Sequence, residues 1–240
     1  MRKWIKYTLI SLFVVALSLV GATWWLYEAT QQVPQFYQQA LTAPVEVQRQ
    51  ASDALLAEAS DLVSSARKQG EWDAVFAEQE INGWLAIDLK ENHPTLLPKE
   101  IQEPRLTIHE DEICLAWRVN HPQYSGVMSV SLTPEILEPN IMLLRIRQAK
   151  AGAVPLPLGK IMEVVNKHAS AAKLPVRWTQ VDGDPAALVE MTADDSSKFI
   201  RQITEITLGN GELYVSGTTI PRTSNPPESI ARHPRAPQGQ

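Results

Sequence analysis

Residues 126–132, with the sequence GVMSVSL, decide the fold class, because apolar and polar side chains alternate from Met128 to Leu132. Alternation with a period of two places successive side chains on opposite faces of a β-strand. The stretches 105–109, 112–119 and 140–150 have a similar partial alternation. Consecutive strands with one apolar face predict an antiparallel sheet that buries that face.

Helical periodicity flanks these strands. A first helix is predicted from Pro44 to Gly70, with apolar residues three or four positions apart. A second helix is predicted over 78–90 and a third over 159–173, after the stretch PLPLG that ends at Gly159. Prolines at 94, 98 and 104 exclude long regular structure in the connection that follows the second helix.

A second group of strands is predicted over 176–181, 187–191, 199–208 and 212–219, with a hairpin turn at Asn210-Gly211. The predicted fold class is therefore α+β, with curved antiparallel β-meanders and two or three helices in one domain over 44–220. Residues 28–43 are predicted to form a stalk. The proline-rich residues 221–240 are predicted to be a disordered tail.

The N-terminal segment is predicted to be a transmembrane helix. Residues 7–27 carry no charged side chain, and a helix of that length spans about 31 Å, close to the hydrocarbon thickness of a bilayer. Arg2, Lys3 and Lys6 precede it, so the N-terminus is expected in the cytoplasm and the domain outside it, as a single-pass signal-anchor protein of the inner or plasma membrane. The alternative is a cleaved signal peptide with its cleavage site near Ala22.

Charge and residue content narrow the function classes. The net charge is −5, and the two ends each carry a net positive charge. The domain between them is therefore strongly acidic and is not expected to bind nucleic acid. Cys114 is the single cysteine, so no intramolecular disulfide forms, and we interpret it as a buried apolar side chain. The five histidines lack a ligand spacing, and no catalytic motif is present. We therefore expect no metal, no cofactor and no enzymatic activity.

Five features in order carry a resemblance to a known family. They are the N-terminal anchor, the stretch FAEQEINGWL at 76–85, the strands that follow it, the stretch VPLPLGKI at 154–161 and the closing strands. This layout resembles the YpmS-like family of single-pass bacterial membrane proteins of unknown function. The plan of a long helix on a curved antiparallel sheet is also similar to the tubular lipid-binding domains of the BPI type, and this resemblance implies an apolar ligand.

A groove between helices and sheet is the predicted binding site, because acyl chains require little more than a continuous apolar lining. The alternative for each residue is an ordinary place in the core, and the alternative function is an envelope scaffold with no small-molecule ligand. Asn82 is predicted to hydrogen-bond the backbone of a neighbouring strand. The predicted lining of the groove consists of Trp84, Leu85, Met128, Ile141, Leu143, Leu158, Ile161, Met162 and Val165.

Overall fold

The computed structural model describes residues 2–122, 124–159, 162, 166, 176–191 and 198–222. The helices of this part of the chain are α1 (Arg2–Thr30), α2 (Gln35–Leu41), α3 (Val45–Ser65), α4 (Glu78–Ala86) and α5 (Asp88–Asn92). Its strands are β1 (Gly70–Ala77), β2 (Ile101–Ile108), β3 (Ile113–His121), β4 (Tyr124–Glu138), β5 (Ile141–Ala151), β6 (Val154–Pro155), β7 (Val176–Val181), β8 (Asp184–Glu190), β9 (Phe199–Leu208) and β10 (Glu212–Pro221).

The strands form two antiparallel sheets. The large sheet has the order β2-β3-β4-β5-β8-β7, with β6 added to β5, and the small sheet has the order β1-β10-β9. The stretch GVMSVSL lies in β4, where Val130 is paired with Leu115 of β3 and with Ala149 of β5. The domain is an α+β fold with antiparallel sheets.

Both faces of the large sheet are covered at its centre. On one face, Tyr37 of α2 packs against Ala116 and Val127. On the other face, Val130 and Ile146 belong to a second cluster, against which Leu156, Leu158 and Trp178 pack. The prediction of one buried face was therefore too simple.

Helix α4 is fixed between α3 and β2. At Gly83 the backbones of α3 and α4 approach so closely that an added Cβ would lie 2.6 Å from the Gln48 carbonyl oxygen. On the opposite side, Asn82 Nδ2 donates to the Leu106 carbonyl and the Leu106 N–H donates to Asn82 Oδ1, both at 2.8 Å. The predicted structural role of Asn82 is confirmed.

The second group of strands is divided between the two sheets, and the prediction of one second meander was wrong. Strands β7 and β8 extend the large sheet, whereas β9 and β10 pair with β1. The division has two causes that lie far apart in sequence. The Trp72 indole of β1 donates to Thr219 of β10 at 3.1 Å. Asn140 Nδ2 donates to the Arg201 carbonyl, and the Ile203 N–H donates to Asn140 Oδ1.

The transmembrane part of the predicted fold class is wrong. Among the helices of the described residues, none combines the length and the apolar character needed to cross a membrane. The predicted span 7–27 contains the polar residues Ser11, Ser18 and Thr23, and Glu28 follows it directly. The final turn of α1 is also part of the domain, since the Ala153 N–H donates to the Ala29 carbonyl at 2.8 Å. The single-pass topology, the signal anchor and the location outside the cytoplasm were inferred from this anchor and are corrected with it.

Residues 28–43 are packed against the domain and do not form a separate stalk. Helix α2 lies within this segment, and its Tyr37 is completely buried. At the β5–β6 turn, Gly152 has a φ of +59° and leaves room for the end of α1, because an added Cβ would lie 2.5 Å from the Ala29 carbonyl oxygen. Strand β10 extends to Pro221, and residues 223–240 of the predicted tail lie outside the described residues.

Candidate functional site

The residues predicted to line an apolar groove lie on several elements of the structure. Trp84 and Leu85 are half-buried on α4, which contacts α3 and β2. Met128 is two residues from Val130 on the same face of β4, and Leu158 packs against the Val130 cluster.

The other predicted lining residues lie on β5 or in the stretch after Gly159. Leu143 is buried at the β5–β8 pairing and Ile141 begins β5. Met162 is half-buried, whereas Ile161 and Val165 lie outside the described residues. The prediction of lipid binding is corrected together with the anchor, because no helix of the described residues is long and apolar enough to cross a membrane.

A large, half-open cavity lies elsewhere and has a volume of about 1000 Å³. It is bounded by the start of α3, by α4 and α5, by residues 93–104 and by Arg118 of β3. We call it the proline cleft, after the three prolines in its wall. Its apolar lining includes Leu41, Leu85, Ile87, Leu89, Leu97 and Ile101; its prolines are Pro94, Pro98 and Pro104; its charged lining is Arg49, Lys90, Glu91, His93, Lys99, Glu103, Arg105 and Arg118.

The sequence at the start of β2 shapes the floor of the proline cleft. The pairing of β2 with β3 shifts register between Gln102 and Arg105, so Glu103 and Pro104 form a bulge. Glu103 has a φ of +50°, which is uncommon for a residue with a side chain. Proline in a strand is normally found at such bulges, because it has no N–H to donate to the ladder. The bulge places Arg105 at the point where the regular strand begins.

Arg105 is a buried cation with few partners. Its side chain is 6% exposed. Nη1 donates to the neighbouring Pro104 carbonyl at 2.7 Å, while Nε has no hydrogen-bond partner. Burial lowers the pKa of the Arg105 guanidinium, and the nearby Tyr37 and Glu103 act in the opposite direction. A buried charge of this kind is costly unless an opposite charge or several hydrogen bonds compensate it.

The carboxylates of the proline cleft are already paired with other arginines. Glu103 Oε2 lies 3.1 Å from Arg118 Nε, and Glu91 Oε1 lies 3.3 Å from Arg49 Nη2. Both pairs are about half exposed, so each contributes little to stability. Arg105 therefore has no carboxylate dedicated to it among the described residues.

Tyr37 places a second buried polar atom close to Glu103, Arg105 and Arg118. Its ring packs against Ala116, and its hydroxyl is buried with no partner at normal hydrogen-bond geometry in the described part of the chain, although the Arg118 side chain is close enough to act on it. Burial is the main cause that raises the pKa of Tyr37; Glu103 raises it further, while Arg118 and Arg105 lower it. The hydroxyl and Arg105 are thus close enough to interact electrostatically.

The first of residues 93–104, His93, contacts α5. Asn92 Nδ2 donates to Asp88 Oδ1 at 2.6 Å, and His93 Nε2 lies 3.3 Å from Asp88 Oδ2. The Trp84 and His93 rings are 6.1 Å apart between centroids. These contacts fix His93, and with it the entry to the proline cleft, against α4.

A smaller cavity of about 330 Å³ is lined in part by Cys114. The thiol lies 3.1 Å from Ser131 Oγ and 3.3 Å from Glu112 Oε1, and Cys114 is half-buried. Burial is the main cause that raises the pKa of the Cys114 thiol. Within the residues that the structure describes, no group of three or more His, Cys, Asp or Glu residues is placed to hold a metal ion.

No family model, curated protein or solved structure matches the chain. The resemblance to the YpmS-like family and to the BPI-type domains, which depended on short motifs and element order, therefore stays a prediction. The function is inferred from the geometry of the chain itself.

Arg105 and Tyr37 were missed by the sequence reasoning. One signal was available, because Pro104 interrupts a strand-like stretch and predicts a bulge immediately before Arg105. The position of Tyr37 had no such signal, since the segment 31–41 has no apolar periodicity. Its burial depends on the contact of α2 with the sheet.

Proposed function

We propose that this protein is a non-enzymatic binding domain that takes a small, partly apolar molecule in the proline cleft. The observation that carries this proposal is the lining of the cleft, which combines an apolar wall with the buried cation Arg105, whose Nε has no hydrogen-bond partner. Sites for small molecules typically have volumes of about 300–1000 Å³. The cleft, at about 1000 Å³, is at the upper end of that range.

The test is binding of the fluorescent probe 8-anilino-1-naphthalenesulfonate to the full chain, with one variant that fills the cleft. Gln102 is exposed on β2 and lines the cleft, so Gln102→Trp is expected to remove most of the probe fluorescence. Gln180 is an equally exposed glutamine on β7, and Gln180→Trp is the matched control. Melting temperatures of both variants within a few degrees of the parent would establish that the fold is kept. Equal probe fluorescence in the two variants would overturn the proposal.

An interaction protein without a small-molecule ligand is the second candidate function, and exposed apolar side chains support it. In α1, the large apolar side chains that the structure describes between Phe13 and Tyr27 are 47% to 71% exposed. A run of exposed apolar residues of this size is typical of a surface that contacts another protein.

The first partner to test is a second copy of the chain, by sedimentation equilibrium. Trp24→Gln combined with Leu26→Gln is expected to shift the chain toward monomer, because both side chains are exposed on α1. Leu137→Gln on β4 is the control, since Leu137 is 49% exposed but lies outside α1. If the parent is monomeric at all concentrations, or if the control has the same effect, self-association through α1 is excluded.

A further inference from the structure

We propose that the molecule bound in the proline cleft is a compact organic anion whose carboxylate or phosphate group is bound by Arg105. This inference rests on the proposed function, because it specifies the ligand class of the same cleft. Arg105 lines the cleft, is 6% exposed and has one hydrogen-bonded nitrogen and one that has no partner. A planar guanidinium with a free donor is suited to bind carboxylate or phosphate oxygens.

The charge of the cleft favours an anion over a cation. Its lining contains five Lys or Arg residues against two Glu residues, in a chain whose net charge is −5. The two glutamates are paired with Arg49 and Arg118, so Lys90, Lys99 and Arg105 have no ion-pair partner in the described chain. The cleft is therefore a local region of positive charge on a protein whose net charge is negative.

The position of Arg105 orients the ligand. Arg105 lies at the β2 bulge, whereas Leu85 and Ile87 belong to the helical wall. An anionic group on Arg105 leaves the rest of a small ligand in contact with that apolar wall. Lys99 is exposed and lies within residues 93–104. It adds positive charge to the cleft and is not part of the core.

The experiment compares three naphthalene compounds of similar size by isothermal titration of the full chain. The compounds are 1-naphthoate, 1-naphthyl phosphate and the neutral 1-naphthamide, so the first two distinguish a carboxylate from a phosphate. At least one of the anions is expected to bind tenfold or more tightly than the amide. Arg105→Met is expected to remove that preference while the affinity for the amide stays within about twofold. Arg201→Met is the control, since Arg201 is exposed on β9 and does not line the cleft.

Two further measurements separate anion binding from a structural role of Arg105. In the absence of ligand, Arg105→Met is expected to melt at the same temperature as the parent or higher, because it removes a buried charge that lacks a carboxylate. A lower melting temperature with the anion preference intact would overturn the proposal. Lys99→Gln provides a second variant at an exposed site, and it is expected to weaken both anions twofold or more and to leave the amide unchanged.

The outcomes distinguish this inference from the proposed function. Equal binding of all three compounds, lost in Gln102→Trp, would overturn the anion inference and leave the cleft as a binding site. Failure of all three compounds to bind, together with probe fluorescence that Gln102→Trp does not reduce, would overturn the proposed function itself.

Discussion

Two neighbouring parts of β2 differ in whether their buried polar groups are hydrogen-bonded. In the part that contacts α4, Asn82 makes two hydrogen bonds to the Leu106 backbone, and the Glu78 carboxylate accepts from Thr107 Oγ1 and the Ile108 N–H. We call these five residues the α4–β2 clamp. One residue earlier, Arg105 lines the proline cleft, and its buried Nε has no hydrogen-bond partner.

The difference indicates which polar residues support the fold and which remain available. Buried polar groups in native proteins are nearly all hydrogen-bonded, and those that are not call for an explanation. The α4–β2 clamp obeys this rule, so its residues are structural. Arg105 and Tyr37 depart from it at the edge of a large cavity, which makes them candidates for ligand contact.

The largest expected effect on stability comes from a substitution that breaks the α4–β2 clamp. Asn82→Ala leaves the Leu106 N–H and carbonyl without partners, so we expect a loss of about 3 kcal/mol in the free energy of unfolding. Urea denaturation measures it. Asn120→Ala is the control, because Asn120 is exposed on β3 and is expected to change stability by less than about 0.5 kcal/mol. Equal losses in the two variants would show that the clamp does not stabilise the fold.

Substitution at the α3–α4 crossing has the next largest effect. Gly83→Ala would place a Cβ 2.6 Å from both the Ala51 Cβ and the Gln48 carbonyl oxygen, so the helices must separate. We expect a loss of about 2 kcal/mol, which is the usual cost of overpacking. Helix propensity alone predicts a gain of about 1 kcal/mol, so the sign of the change in a thermal melt decides between them. Gly159→Ala is the control, because Gly159 is also helical but an added Cβ meets nothing within 4 Å, so this variant is expected to be as stable as the parent or more stable.

Removal of the unpartnered hydroxyl is expected to stabilise the protein. Tyr37→Phe should raise the free energy of unfolding by about 1 kcal/mol, because it deletes a buried polar group that makes no hydrogen bond. Tyr124→Phe should have the opposite sign, because the Tyr124 hydroxyl donates to the Thr30 and Val127 carbonyls at 3.3 and 3.2 Å. Parallel urea titrations compare the two variants. A destabilised Tyr37→Phe protein would mean that the Tyr37 hydroxyl has a partner.

The smallest effect is a dependence of stability on alkaline pH. The pKa of Tyr37 is raised in the folded protein, chiefly by burial, so folding favours the neutral phenol. Its contribution is constant below the unfolded pKa of about 10 and decreases as the pH rises above that value. Tyr37→Phe should therefore lose less stability than the parent between about pH 9 and 11. Identical slopes in thermal melts across this range would contradict the assignment.

Local patterns predicted the strands better than the sheets. The alternation around Val130 and the turn at Asn210-Gly211 correspond to β4 and to the β9–β10 hairpin. The division of the later strands depended on Asn140, whose hydrogen bonds to Arg201 and Ile203 join residues more than sixty positions apart. A short-range pattern carries no information on such contacts.

The candidate site was less predictable than the fold. The apolar residues of α4 were identified, but a helical stripe does not show what covers it, and Trp84 and Leu85 lie away from Met128 and Leu158. Arg105 becomes a candidate through its burial and through the pairing of Glu103 with Arg118. Both the burial and the ion pair depend on the tertiary structure and cannot be seen in a local sequence pattern.

The measurement that tests the central claim most directly is the NMR signal of the Arg105 Nε–H in the full chain, assigned by its loss in Arg105→Met. Without ligand, the Nε–H has no hydrogen-bond partner, and we expect a resonance that shifts and saturates when 1-naphthoate or 1-naphthyl phosphate is added. Addition of 1-naphthamide is expected to leave it in place. A resonance that does not move with either anion would contradict the claim that Arg105 binds an anionic ligand in the proline cleft.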